Sequence, residues 1–193
     1  IAIDPLVLYL NTTHFKTAKL KAVPKTWEEL VSAATALTIK TGDTIVRPGF
    51  AMGTISNLDR ASQIIQLLML QFKTEMVDSA HRTALFNLYQ AEDGQVLAPD
   101  RFDYPGKRAL AFFANFANSQ SENRSFDINQ PYSTDAFASG NLSMMVNYLS
   151  LTPQLKRLVP KLTFTISPLP QVDIRAASVE DQPVFISQPV HSV

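Results

Sequence analysis

The most informative absence in this sequence is that of cysteine. The chain contains no cysteine, which excludes disulfide frameworks, thiolate zinc sites, iron–sulfur clusters and a cysteine nucleophile. An excess of charge of one sign is also lacking, because 17 lysines and arginines balance 17 aspartates and glutamates. Without a basic excess or a long basic run, the chain cannot supply the phosphate-neutralising charge on which nucleic-acid binding depends. We therefore expect no nucleic-acid partner.

Long hydrophobic runs are missing as well. The most apolar stretch, residues 64–72, is nine residues long and includes two glutamines, whereas a helix that spans a bilayer needs roughly 20 apolar residues. The sequence therefore predicts no transmembrane span. The chain starts at Ile1 without the basic and small-residue signals of a secretory leader. We expect either a mature product or a piece of a longer protein, and the resemblance described below favours the piece.

Recognisable cofactor and catalytic motifs are absent too. The six glycines are dispersed and match neither GxGxxG nor GxxxxGK[ST], the patterns of phosphate-binding turns. His14, His81 and His191 are far apart and lack metal-ligand spacing. No GxSxG is present, and adjacent acidic pairs point to different sides of a helix or strand, which disfavours glycosidase carboxylates. We expect no metal, no cofactor and no catalytic residue.

The chain is rich in apolar residues, which fall into alternating strand and helix patterns. Hydrophobic residues make up 46% of it, enough for a sizeable core. Thr26 and Glu29 form a capping box, in which the Thr26 hydroxyl accepts from the Glu29 amide and the Glu29 carboxylate accepts from the Thr26 amide. The alternation predicts an α/β lobe. Predicted strands cover 5–10, 44–52, 84–88, 142–148, 162–166 and a segment from 184, and predicted helices cover 13–20, 26–37, 57–72, 105–118, 133–140 and a segment from 152.

Three passages occur in an order that is typical of one protein family. The first passage consists of two nearby segments, DPLVLYLN (4–11) and VPKTWEEL (23–30). The second is STDAFASGNLSM (133–144), and the third is FTISPLP (164–170). Together they resemble the family 1 extracellular solute-binding proteins, the maltose-binding-protein-like receptors of bacterial ABC importers. The resemblance covers nearly the whole chain, and only 73–104 and 171–183 have no clear match.

The resemblance implies a fold, partners and a location. Members have two lobes that close around a ligand, so residues 1–193 are expected to form one lobe, the second, of a type II periplasmic-binding-protein-like fold with a mixed sheet flanked by helices. Segments 1–11 and 184–193 are then hinge or inter-lobe strands, and 171–183 is a surface excursion. The implied partners are a carbohydrate, the missing first lobe and an ABC permease. The implied location is the periplasm or cell surface, with the full-length protein anchored to the membrane.

The resemblance also implies ligand-binding residues at the start of the chain and in one loop. Asp4 occupies the place of an acidic sugar contact on the hinge strand, and a carboxylate can accept from two adjacent hydroxyls. Alternatively, Asp4 caps a helix or forms a salt bridge at the hinge. The loop 54–62 enters the cleft in family members, so Asn57, Asp59 and Arg60 are candidate ligand contacts. For Asn57 the sequence favours a helix N-cap over a ligand contact.

The remaining candidates follow the predicted strand at 142–148. They are Asn147, Tyr148 and Ser150. After the position of Asn147 many members continue into Gly-Pro-Trp, whose tryptophan stacks on a sugar ring, whereas this chain continues into Tyr148-Leu149-Ser150. Ser150 takes the tryptophan position and cannot stack, whereas Tyr148 could stack from a shifted position or simply pack in the structure. We expect Asp4, Tyr148 and the 54–62 loop to converge on one edge of the sheet, because ligands of open α/β folds bind beyond strand ends.

Two other functions use the same features. A sugar-processing enzyme would share carboxylates and aromatic side chains with a sugar receptor, but the sequence contains no spaced pair of acids to support it. An effector-binding domain on a similar lobe would normally accompany a DNA-binding module, and none is visible. The sequence therefore favours a ligand-binding lobe without enzymatic activity.

Overall fold

The computed structural model of the chain describes residues 3–78, 80, 82–87, 89–90, 96–97 and 104–172. Its helices are α1 (Thr12–Thr17), α2 (Trp27–Leu37), α3 (Ala61–Gln71), α4 (Pro105–Asn115), α5 (Ser133–Ala138) and α6 (Leu151–Leu158). Its strands are β1 (Leu6–Asn11), β2 (Ile39–Thr41), β3 (Thr44–Arg47), β4 (Tyr89–Gln90), β5 (Val96–Leu97), β6 (Met144–Tyr148) and β7 (Phe164–Ser167). The predicted strand from 184, the hinge segment 184–193 and most of the excursion 171–183 fall outside the described residues.

The central sheet has the strand order β6–β1–β7, with β1 antiparallel to both neighbours. In this register Leu6 lies opposite Tyr148, and Leu10 lies opposite Met144. Phe50 adds a parallel bridge to Met144, so the pairing is mixed and the α/β prediction is confirmed. Because β1 is the middle strand, its residues Leu8 and Tyr9 are completely buried.

Helices α2 and α4 pack together through aromatic side chains. Trp27 of α2 meets Phe112 of α4 edge to face, with ring centroids 5.6 Å apart. The contacts continue from Phe112 to Phe116 and from Phe116 to Phe50, each at 5.5 Å. Edge-to-face pairs at such distances stabilise a core beyond the burial of their area. They also connect both helices to the segment that pairs with β6.

The predicted apolar face of α4 was partly wrong. The spacing of Leu110, Phe113 and Phe116 in the sequence predicts that all three share one buried side, but Leu110 is 45% exposed. Ala109 is completely buried instead. Positions 109, 113 and 116 follow the i, i+4, i+7 spacing of one helix face, whereas 110 is rotated away from that face.

Two strand predictions also need correction. The strand expected over 44–52 stops at Arg47, before Pro48, and pairs with the unpredicted β2 to form a hairpin. The three residues of β2 are all exposed, so the strand has no apolar pattern by which it could be recognised. The strand expected at 84–88 is reduced to a single bridge between Val77 and Ala84, with a turn at 86–87.

The start of α2 confirms half of the capping box. The Thr26 hydroxyl accepts a hydrogen bond from the Glu29 amide at 3.2 Å, as predicted. The Glu29 carboxylate, however, accepts from the amide of Lys25 at 2.7 Å rather than from that of Thr26. Thr26 also forms a parallel bridge with Gln171, in which the Trp27 amide donates to the Gln171 carbonyl and the Gln171 amide donates to the Lys25 carbonyl. This bridge connects the region after β7 to the start of α2.

Replacing Thr26 with alanine is expected to lower the free energy of unfolding by about 1 kcal/mol, because the Glu29 amide loses its acceptor. Urea denaturation followed by circular dichroism measures this difference. Thr35→Ala, at an exposed position in the same helix, is the matched control and should cost nothing, since alanine is the better helix former. Equal losses in both variants would show that Thr26 does not act as a cap.

His14 is a buried histidine at the end of the sheet where β1 stops. Its side chain is 8% exposed, and its Nδ1 lies 2.9 Å from the Ser143 hydroxyl. Burial, with a smaller contribution from the positive charge of Arg47, lowers the pKa of His14 below its ordinary value of 6.5. A hydrogen bond with the Gly140 backbone opposes this shift. The folded chain therefore favours the neutral imidazole.

We expect His14 to make stability fall in mild acid. Because its pKa is lower in the folded than in the unfolded chain, the unfolded state binds the proton more readily. The contribution of His14 is thus complete above pH 6.5 and is lost as pH falls through the folded pKa. Urea midpoints measured across this range for the wild type and His14→Gln should show a shallower decline in the variant. Parallel pH profiles would contradict this role for His14.

Candidate functional site

The sheet edge at which β1 begins and β6 ends carries most of the predicted ligand-binding residues. Asp4 precedes β1, and its two carboxylate oxygens accept from the amide and the hydroxyl of Ser150 at 2.9 and 2.6 Å. Ser150 is the N-cap residue of α6. The structure therefore shows the helix-capping contact that we considered as the alternative for Asp4.

Three helices begin around this edge and enclose an open cleft of about 310 Å³. Helix α3 follows Arg60, α5 follows Tyr132 and α6 follows Ser150. Helix N-termini carry a partial positive charge and backbone amides without helical acceptors, so the surroundings of the cleft are polar. The cleft is lined by Asp59, Arg60, Tyr132, Thr134, Asp135, Asn147, Tyr148, Ser150, Leu151 and Gln154.

Arg60 occupies an unusual backbone position at the start of α3. Its φ angle is 61°, in the left-handed region that residues other than glycine rarely adopt. Its guanidinium carbon lies 4.9 Å from the centre of the Tyr148 ring, within cation–π range. Its Nε also donates to the Asn147 side-chain oxygen at 3.4 Å. These contacts hold an exposed cation at the cleft.

Asp59 connects the loop before α3 to the start of α5. One oxygen of its carboxylate, Oδ2, accepts from the Ser133 hydroxyl at 3.0 Å and from the Thr134 amide at 3.1 Å. It also accepts from the Thr134 hydroxyl at 2.5 Å. Tyr132, the N-cap residue of α5, makes no side-chain capping bond, so Asp59 supplies the acceptor that this helix start lacks.

Several polar groups of the cleft retain hydrogen-bonding capacity. Across the part of the chain that the structure describes, the η nitrogens of Arg60 and the Oδ1 atom of Asp59 have no hydrogen-bond partner. Both kinds of group are therefore open to a ligand, one as a donor and the other as an acceptor. The same holds for the side chains of Asp135, Tyr132 and Gln154 and for the Tyr148 hydroxyl.

Metal ligation is not supported by the described residues, which contain no group of three or more His, Cys, Asp or Glu side chains placed to hold a metal ion. Over the same residues, no helix has both the length and the apolarity that a membrane crossing requires.

A second cleft of about 460 Å³ lies at the opposite ends of α5 and α6. Its lining is mainly apolar, with Leu158, Val159 and Leu162 as its largest apolar side chains and Lys161 as its charged residue. Since it offers few groups for recognising a polar solute, we take the cleft around Arg60 as the candidate site.

A sequence model of the bacterial extracellular solute-binding proteins matches residues 1–186. The chain belongs to this family. The resemblance noted in the sequence is thereby confirmed, and the family description implies an extracytoplasmic location. No curated protein matches the chain.

Solved structures of solute-binding proteins share the fold. One is the ABC transporter solute-binding protein of Thermotoga lettingae TMO bound to α-D-tagatose, with a TM-score of 0.66 and 19% identity over 88% of this chain. Another is the maltose/maltodextrin-binding domain MalE of Bdellovibrio bacteriovorus bound to maltotriose, with a TM-score of 0.62 and 14% identity over 92%. UgpB of Mycobacterium tuberculosis, in complex with glycerophosphocholine, has a TM-score of 0.60 and 16% identity over 88%.

This solute-binding family chain matches only part of the length of each of these proteins. It spans 40% of the Thermotoga protein, 38% of MalE and 36% of UgpB. These likenesses confirm the type II periplasmic-binding-protein-like fold. The Thermotoga protein is described as an ABC transporter solute-binding protein and the Bdellovibrio protein as a maltose/maltodextrin-binding domain.

Within this family fold, Asn57 does not reach the cleft. Its side chain is buried, and its amide nitrogen donates to the carbonyls of Asp127 and Gln130 at 2.9 and 2.8 Å. Its oxygen accepts from the Thr54 hydroxyl. The N-cap interpretation was wrong, because the N-cap residue of α3 is Arg60. Asn57 instead holds the 127–130 turn against its own loop.

Sequence reasoning missed half of the cleft lining. It did not select Thr134 or Asp135, which begin α5, or Leu151 and Gln154 of α6. Tyr132 is one of four tyrosines, with Tyr9, Tyr104 and Tyr148, that lie at the ends of elements predicted from the sequence, and nothing in the sequence distinguishes it from the others. The sequence signal that could have identified these residues was that two predicted helices, 133–140 and the one from 152, flank the strand that carries Tyr148. Which of their residues face Arg60 depends on tertiary packing.

Proposed function

We propose that this chain forms one side of the binding site for a neutral, polyhydroxylated solute, a carbohydrate, in a receptor for ABC-importer uptake. The observation that supports this most directly is the cleft around Arg60, where hydrogen-bond donors and acceptors without protein partners lie beside an exposed aromatic ring. Ligand sites of this kind combine a few oriented polar groups with an aromatic or apolar surface. The role of the exposed lining side chains as ligand contacts is part of the proposal.

The charges of the cleft favour a neutral ligand. Asp59 and Asp135 are acceptors for sugar hydroxyls, and the Arg60 guanidinium is a donor to sugar oxygens. A hydroxyl both donates and accepts, so a polyol can satisfy all three groups. An anionic solute would meet two carboxylates, and a cationic solute would meet the guanidinium.

Stacking on the ligand is assigned to Tyr132 rather than to Tyr148. The Tyr132 side chain is 47% exposed and lines the cleft. The Tyr148 ring is instead covered on one face by the Arg60 guanidinium. We therefore propose that Tyr148 orients Arg60 and presents its hydroxyl, while Tyr132 offers the apolar face on which a sugar ring packs. Ser150, held by Asp4, lines the same side.

The ligands bound in two of the solved structures that share the fold are of the proposed class, neutral carbohydrates. The Thermotoga and Bdellovibrio structures contain α-D-tagatose and maltotriose, both of them polyhydroxylated and uncharged. UgpB is described in complex with glycerophosphocholine, which carries charges. A phosphodiester is therefore the second candidate ligand, and the two carboxylates of the cleft disfavour it.

The mechanism we propose is closure of two lobes around the solute. The chain spans about two fifths of the length of the Thermotoga protein, and its cleft is open, so the remaining contacts would come from a second lobe. Closure buries the ligand and creates the surface that a permease recognises. The full receptor would then act in the periplasm or at the cell surface, anchored to the membrane.

An enzymatic role for the cleft is the alternative from another class. It does contain two carboxylates, Asp59 and Asp135. However, Oδ2 of Asp59 accepts three hydrogen bonds from Ser133 and Thr134, so this group serves as a cap. Incubation with chromogenic glycosides should give no turnover, and measurable hydrolysis would establish the enzyme instead.

Calorimetric or NMR titration of the chain with a solute panel tests the proposal. The panel contains tagatose, maltotriose, mannobiose, glycerophosphocholine and glucuronate. One lobe supplies roughly half of the contacts of a buried ligand, and half of a micromolar binding free energy, about 4 of 8 kcal/mol, corresponds to a millimolar Kd. We expect millimolar binding of a neutral sugar. Preference for a charged solute would overturn the ligand class, and micromolar binding would overturn the two-lobe account.

A further inference from the structure

Asn147 is a polar side chain in an otherwise apolar strand. Met144, Met145 and Val146 of β6 are completely buried, and Asn147 is only 4% exposed. It pairs with Val7 of β1. Asparagine is disfavoured in strands, and a buried amide is costly unless its polar atoms find partners. A specific set of contacts is therefore expected around it.

The contacts of Asn147 determine the orientation of its amide. Its oxygen accepts from the Tyr148 backbone amide at 2.8 Å and from Nε of Arg60 at 3.4 Å. Both of these groups can only donate, so the atom facing them has to be oxygen. The nitrogen then faces Thr134 and donates to its hydroxyl at 3.1 Å.

The Thr134 hydroxyl connects Asn147 to Asp59 through a second hydrogen bond. A hydroxyl carries one proton, and that of Thr134 is donated to Oδ2 of Asp59. Thr134 can therefore only accept from Asn147. The resulting series of hydrogen bonds runs from Asn147 through Thr134 to Asp59, while the oxygen of Asn147 holds Arg60. Among the described residues, no other side chain is linked in this way to both charged groups of the loop.

We propose that Asn147 is a positioning residue of the solute site, which holds Arg60 directly and Asp59 through Thr134 without touching the solute. This inference rests on the proposed function and replaces the predicted role of Asn147 as a ligand contact. Its 4% exposure leaves almost no surface for a ligand. Both acceptor positions of its oxygen are used by the protein. Asn147 thus acts on recognition through the two charged neighbours.

Three substitutions separate the two halves of the network. Asn147→Asp keeps an oxygen towards the Tyr148 amide and Arg60 but replaces the donor to Thr134. Asn147→Leu removes every contact at similar size. Thr134→Val breaks the link to Asp59 without changing the buried strand, so it remains informative if Asn147→Leu does not fold. Asn141→Asp, at an exposed position, is the control for the added charge.

The first readout needs no ligand. The Nε–H resonance of Arg60, assigned with Arg60→Lys, is followed by NMR in the full 193-residue chain. We expect slow solvent exchange in the wild type, Asn147→Asp, Thr134→Val and the control, and fast exchange in Asn147→Leu. An unchanged resonance in Asn147→Leu would overturn the proposal, as would its loss in Thr134→Val.

The second readout uses maltotriose as the probe. Loss of a hydrogen bond to a charged group is worth roughly tenfold in affinity, so Asn147→Leu should bind about tenfold more weakly and Thr134→Val about threefold. Wild-type affinity in Asn147→Leu would contradict the proposal. If the wild type itself does not bind maltotriose, the carbohydrate function fails for this sugar, whereas the Arg60 resonance still decides the role of Asn147.

Discussion

Replacing Arg60 with alanine is expected to weaken solute binding by about 10- to 100-fold, the usual range for a lost hydrogen bond to a charged group. The guanidinium stands exposed in the cleft, and its η nitrogens have no acceptor among the described residues. The free energy of unfolding should change by less than about 1 kcal/mol, because the exposed side chain contributes mainly a stack on Tyr148. NMR titration with tagatose and maltotriose measures the affinity.

Two further variants separate charge, geometry and stability at Arg60. Arg60→Lys keeps the charge but loses the planar, two-pronged donor, so it should bind nearly as poorly as alanine. Arg60→Gly should be slightly more stable than the wild type, because glycine adopts the observed φ of 61° without strain. A glycine variant that retained affinity would show that the guanidinium does not contact the solute. In that case the left-handed backbone conformation at Arg60 would also have no role in solute binding.

Replacing Gly49 with alanine is expected to destabilise the fold by about 3 kcal/mol or more, among the largest effects of a single substitution. An added Cβ would lie 2.0 Å from the Ala34 carbonyl oxygen and 2.6 Å from the Thr38 hydroxyl. The carbonyl is backbone in α2 and cannot rotate away. The segment after β3 would therefore have to move off the helix, although the neighbouring Phe50 is completely buried. Urea denaturation gives the change directly.

Gly42→Ala is the matched control for this overpacking effect. No atom lies within 4 Å of a Cβ built at Gly42. Its φ of +58° makes alanine mildly strained, which costs about 1 to 2 kcal/mol. Gly49→Ala should therefore be clearly the more destabilising of the two. A smaller loss at Gly49 than at Gly42 would mean that the helix and the following segment adjust easily.

Local patterns in the sequence were sufficient to predict several helices and strands. The apolar run at 5–10 predicted the central strand β1, and the capping residue Thr26 with apolar residues at 3,4 spacing predicted α2. Gly140 correctly marked the end of α5, where its φ is +76°. Such signals succeed because caps, periodicity and left-handed turns depend on residues only a few positions apart.

Other features depended on partners that the sequence does not identify. The strand β2 exists because it pairs with β3, although all of its residues are exposed. The start of α2 is bridged to Gln171, through the amide of Trp27 and the carbonyl of Lys25, and no pattern around Thr26 indicates that distant partner. Periodicity alone could not distinguish Leu110 from Ala109 as the buried residue of α4, since they precede the buried Phe113 by three and four residues, both of which are helical spacings.

The sequence by itself determined the family, the α/β lobe and the loop and strand end that carry Arg60 and Tyr148. Only the tertiary structure decided that Asp59 caps α5, that Asp4 caps α6 and that Tyr132 faces the cleft. The physical reason is distance along the chain, because the bonds from Ser133 to Asp59 and from Ser150 to Asp4 join residues 74 and 146 positions apart. No local pattern encodes such pairs, and they form when the packed sheet brings three helix starts to one edge.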